Sequence, residues 1–174
     1  MTTTKVNSYS LTNVKTYTLA LLFITGNLLL PQLAHLVPNG GPALLPIYFF
    51  TLIAAYKFGI KTGLLTAILS PLLNSLIFGM PVLGLLPIII IKSALLAFAA
   101  AYAANYFQKV TILSLVIVVL AYQIAGTLIE WLFVQNFWTA VQDFRIGLLG
   151  MAIQVIGGYA VLKGMEAFRH KKSN

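Results

Sequence analysis

Two ionisable residues stand alone in long apolar runs. Lys92 follows four isoleucines, Ile88 to Ile91, and no other charge lies between Leu85 and Tyr106. Glu130 is the one charge between Thr111 and Phe133. An ionisable group held in hydrocarbon is costly and marks a functional site by default. Lys92 has three readings: it binds an anionic ligand, it pairs with an acid, or it snorkels to the headgroups along its stem. Glu130 is its natural counterpart. Gln123, Thr127 and Glu130 recur at i, i+4 and i+7, which is one face of a helix. Unpaired polar groups in hydrocarbon are unfavourable, so this stripe turns away from lipid, to line a wet pocket or to meet Lys92. Gln154 shares a face with Gly147, Gly150 and Gly158, and Asn74 belongs to the same layer. Both are candidates for ligand contact, with interhelical hydrogen bonding as the alternative. Trp131 and Trp138 either stack on a planar ligand or belong to an aromatic belt. The chemistry on offer is binding: charge complementarity from Lys92, hydrogen bonds from Glu130, Asn74, Gln123 and Gln154, aromatic cover from the tryptophans.

Reaction chemistry has little to draw on. The acids Glu130, Asp143 and Glu166 are far apart in the chain, so an acid/base pair has few candidates. There is no GxxxxGK[ST] phosphate loop, no HExxH and no GxSxG. Cysteine is absent, which removes disulfides, thiolate metal sites and a cysteine nucleophile. His35 and Met80 are soft groups, but one of each is too small a set for a metal centre. No metal or cofactor is assigned, and the chain reads as a binding protein rather than an enzyme.

The elements that hold these residues are membrane helices. The chain has 174 residues, 60% hydrophobic and 8% charged, against roughly 25% charged in a soluble domain. Spans of about 20 apolar residues fit six times. They run over about 15–36, 45–56, 59–78, 85–106, 111–133 and 146–168, the second short for a full crossing. A polar leader, 1–13, precedes this all-α six-helix domain, 14–168, and a basic tail, 169–174, follows it. The Gly/Pro-rich segment 37–46 reads as a loop or re-entrant turn. Positive charges set the orientation. With the N-terminus cytoplasmic, Lys5, Lys15, Lys57, Lys61, Lys109, Lys163, Arg169, Lys171 and Lys172 lie inside and Arg145 outside. Both termini are then cytoplasmic, and segments 37–46, 80–84 and 134–145 are external. Lys92 lies about seven residues, or roughly 10 Å, below the outer end of its span.

Small residues supply packing seams. Gly59, Gly63 and Ala67 recur every four residues, beside a second row of Thr62, Thr66, Ser70 and Asn74. Such rows let helices approach closely. The stretch Phe58-Gly59-Ile60-Lys61-Thr62-Gly63, continuing to Ala67, resembles the signature that opens the third helix in substrate-binding S components of energy-coupling-factor (ECF) vitamin transporters. Six short helices, both ends inside, a Gly/Pro-rich first external loop and a basic C-terminus extend the resemblance over nearly the whole chain. The family's AxxxA docking motif is replaced here by Thr16-x-x-x-Ala20, and Ser93, Ala97 and Ala101 form another small seam. The resemblance implies capture of a vitamin or related micronutrient at the outer face of a prokaryotic cell membrane. It also implies a transmembrane coupling subunit and two ATPase subunits as partners, docked through Thr16, Ala20, Gly59, Gly63 and Ala67. Lys92 leans the expected ligand toward an anionic group. A structural or assembly membrane protein of the cell-shape type, and a self-energised secondary carrier, are the competing readings; no inverted repeat of the carrier kind is visible.

Overall fold

The computed structural model describes residues 8–173, without the side chains of Asp143 and of residues from 169 onward. Lys5 in the leader, the charged side chains of the tail and any pairing of Asp143 with Arg145 lie outside the described residues. Every regular element among the described residues is helical: α1 (Val14–Ala34), α2 (Gly40–Leu44), a 3-10 turn (Pro46–Tyr48), α3 (Phe49–Phe58), α4 (Ile60–Phe78), α5 (Leu86–Phe107), α6 (Ile112–Val134), α7 (Phe137–Ile146) and α8 (Leu148–Ser173).

Five of these, α1, α4, α5, α6 and α8, are long and apolar enough to cross a membrane. The chain is thus built as a multi-pass membrane protein. The 3-10 turn and α3 together hold three plus ten residues, so they reach only about 20 Å of a hydrocarbon core about 30 Å thick. The helix ends follow local chemistry. Asn13 caps α1 by accepting from the Lys15 N–H at 2.9 Å. Thr111 and Ser114 exchange side-chain-to-backbone bonds at the start of α6. Gly59 joins α3 to α4 with φ of 85°, a conformation glycine adopts without strain. Segment 134–145, expected as an external connection, is largely the helix α7.

The side-chain distribution suits lipid rather than water. Ala54, Ala55, Ala67, Ala97 and Ala100 are fully buried, while Leu21, Leu22, Leu29 and Leu33 of α1 face outward. Small residues bring the backbones together. At Gly63 a Cβ would lie 2.5 Å from the Ala55 Cβ, so α3 and α4 close to a separation that only glycine allows. The residues expected to dock a partner take part in this internal packing. Thr16, Ala20, Gly59, Gly63 and Ala67 are all buried within the chain. Thr16 donates to the Ser10 carbonyl at 2.7 Å, and Gly59 abuts Ser8. Ser93, Ala97 and Ala101 are buried too. These seams pack the chain against itself, and a partner could reach them only by prising helices apart.

Candidate functional site

Where α3 stops short, the bundle holds a half-open cavity of about 380 Å³. Small-molecule sites typically run from about 300 to 1,000 Å³. The end of α1 contributes Pro31, Gln32 and His35. Segment 41–48, which carries α2 and the 3-10 turn, supplies Gly41, Pro42 and Leu45 to Tyr48. Asn74 comes from the end of α4, Met80, Pro81 and Val82 from the turn after it, and Leu85, Ile88 and Ile89 from the start of α5. Glu130, near the end of α6, completes the wall. The ends of α1, α4 and α6 and the starts of α3 and α5 therefore converge on one space, most of it apolar.

Its polar part is set by two buried networks. In the first, Lys92 Nζ donates to Glu130 Oε2 at 2.5 Å, with both side chains buried. Gly126 makes this possible, because a Cβ there would sit 2.6 Å from Lys92 Cγ. The lysine stem crosses α6 at that glycine and delivers its charge to the acid one turn further on. Lys92 itself is not in the cavity wall. Of its three readings, the structure favours the ion pair.

The second network ties four helices together. Asn27 of α1 donates through Nδ2 to Thr51 Oγ1 at 3.0 Å and Ser70 Oγ at 3.2 Å. Its Oδ1 accepts from the Phe50 N–H at 3.2 Å, one of the N-terminal amides of α3 that has no partner within its own helix. Thr51 and Ser93 share a further contact at 3.5 Å. Asn74 Nδ2 donates to the Asn27 carbonyl at 2.9 Å and to the Ser70 carbonyl at 3.1 Å. The Asn27 carbonyl is available because residue 31, four positions on, is proline and lacks the N–H that would close that helical bond. Both Asn74 donors thus go to carbonyl oxygens, which fixes the amide orientation. Asn74 Oδ1 is left buried with no hydrogen-bond partner among the described residues.

The other candidates lie elsewhere. Gln154 is fully buried outside the cavity wall; its Oε1 accepts from the Tyr122 hydroxyl at 3.1 Å, linking α6 and α8, and its Nε2 has no partner among the described residues. Gln123 is buried in α6, away from the cavity wall, and neither its Nε2 nor its Oε1 has a partner among the described residues. Trp131 and Trp138 are 43% and 73% exposed and also outside the wall. They flank Phe137, at ring separations of 5.7 and 5.8 Å, as an outward aromatic cluster. That placement suits the boundary-belt reading over ligand stacking. Tyr48 was not among the sequence candidates. It lines the cavity and packs on Tyr122 with ring centroids 5.5 Å apart. His35 and Met80, considered only as soft metal ligands, are wall residues. No group of three or more metal-ligating side chains occurs among the described residues.

The segment over the cavity is anchored. Leu45 is buried with φ of 47°, an uncommon conformation for a branched residue. At Gly150 of α8 a Cβ would stand 2.5 Å from both the carbonyl carbon and the oxygen of Leu44, so α8 packs directly on this backbone. Comparison with protein-family models, with curated proteins and with solved structures returns no match.

Proposed function

We propose that this chain is the substrate-binding subunit of an ECF-type importer, capturing a vitamin-type small molecule from outside the cell. The cavity carries the reading: a largely apolar chamber at one end of a membrane bundle, walled by five helix ends and their connections, with a buried acceptor left unpartnered. In this reading the short segment Pro46–Phe58 is the second of six membrane segments, and both termini are cytoplasmic. The charge distribution supports that orientation. Lys57, Lys61, Lys109 and Lys163 lie on α3, α4, the α5–α6 turn and α8 respectively, at the ends remote from the cavity. The positive-inside rule then turns the cavity outward.

The chain would deliver its ligand to a transmembrane coupling subunit driven by two ATPases. With the small-residue seams buried, that subunit would meet an outward face of the bundle. A structural protein of the cell-shape type would have no use for an unpartnered acceptor beside a chamber of this size. The test is thermal unfolding of the purified protein against a panel of water-soluble vitamins and their precursors. One compound should raise Tm by several degrees, and Ile89→Trp, which fills the cavity, should abolish the shift. No stabilisation by any compound, or an equal shift in the filled variant, would overturn the proposal. Uptake by proteoliposomes holding this chain alone would favour the self-energised carrier.

A further inference from the structure

The cavity wall also carries information about what it holds, given the reading of this space as a small-molecule site. Asn74 is 1% exposed, and both of its amide hydrogens are committed to backbone carbonyls of α1 and α4. What it has left is the acceptor Oδ1. Glu130, also in the wall, is ion-paired and can only accept. Lys92, the cation buried beside the cavity, is committed to Glu130 and does not reach the wall. Between Glu130 and Asn74 Oδ1 an anionic group would face a carboxylate and an amide oxygen, while the wall's own N–H donors, Gln32 and His35, come from the end of α1. An apolar molecule without a donor would leave Asn74 Oδ1 without a hydrogen bond.

We propose that the cavity selects a neutral molecule with an apolar body and an N–H or O–H donor, and that Asn74 Oδ1 receives that donor. Pro31 is the positioning residue. It lacks the hydrogen that would occupy the Asn27 carbonyl, and so leaves that oxygen to hold the Asn74 amide. The Lys92–Glu130 pair removes the expected lean toward an anionic ligand.

The probes are indole, 1-methylindole and indole-3-carboxylate, each titrated by ligand-observed NMR into the full chain in detergent. Ile89→Trp serves as the blank for micelle partitioning. Indole should bind saturably to the wild type and not to the blank. 1-Methylindole and indole-3-carboxylate should each bind at least about tenfold more weakly, since sites built to hydrogen-bond a ligand reject analogues that lack the group. Pro31→Ala restores a helical N–H to Asn27 and trims one wall side chain, so Tm should hold or rise while indole affinity falls severalfold more than 1-methylindole affinity does. Equal affinity for indole and 1-methylindole, tighter binding of the carboxylate, or an unaltered indole affinity in Pro31→Ala overturns the selection rule and leaves the cavity standing as a ligand site. If no probe distinguishes the wild type from the blank, both the rule and the binding reading fall.

Discussion

At the scale of single residues, the Lys92–Glu130 pair and the Asn27 network tie the helices together from inside the bundle. Breaking a buried ion pair by removing one partner costs about 3–5 kcal/mol, whereas replacing both by apolar groups is often neutral. Lys92→Met alone should therefore be strongly destabilising, and Lys92→Met with Glu130→Leu should recover most of that loss. Equilibrium unfolding of both single variants and the double variant gives the coupling; additive losses would mean that the pair does not act as a unit. Asn27→Leu should cost at least about 2 kcal/mol, because it leaves Thr51, Ser70 and the Phe50 amide with fewer partners. A loss below about 0.5 kcal/mol, in the same unfolding measurement, would contradict the network's structural weight. Part of this was legible in the sequence. Lone charges at Lys92 and Glu130, and the polar row ending in Asn74, mark residues that lipid would exclude. Their partners were not legible, because the Asn27–Asn74 contact joins residues 47 apart and depends on a proline whose effect lies four residues upstream.

At the scale of elements, glycine and proline decide where the site is. The long helices follow from uninterrupted apolar runs, which is why they are readable from sequence. α7 is ten residues of mixed polarity carrying Gln142, Asp143 and Arg145, and such a segment reads as a loop. The tryptophans show another limit. Position along the chain places Trp131 and Trp138 near a helix boundary, but only packing decides which side they face. Most of the cavity wall is proline, leucine and isoleucine, and nothing in such residues separates wall from lipid-facing surface. Gly150 offers a test at this scale. Gly150→Val would push a side chain into the Leu44 carbonyl and displace segment 41–48. Ligand affinity should fall at least tenfold while the helical circular-dichroism signal is retained. Unchanged affinity would show that this segment does not shape the site.

At the scale of the whole molecule, the account rests on one orientation and one chamber. Cysteine is absent from the chain, so single cysteines can be introduced without background. Leu83→Cys, in the turn beside the cavity, should react with a membrane-impermeant maleimide in intact cells. Gln108→Cys, in the α5–α6 turn, should react only after permeabilisation. The opposite pattern would turn the cavity inward and exclude capture from outside. The central claim is that the chamber holds a small molecule in the working protein. Native mass spectrometry of the freshly purified chain, beside Ile89→Trp, addresses it most directly. The account expects a discrete non-covalent adduct of small-molecule mass on the wild type, released on activation and missing from the filled variant. A wild-type spectrum without any such adduct, or the same adduct on both proteins, would contradict it.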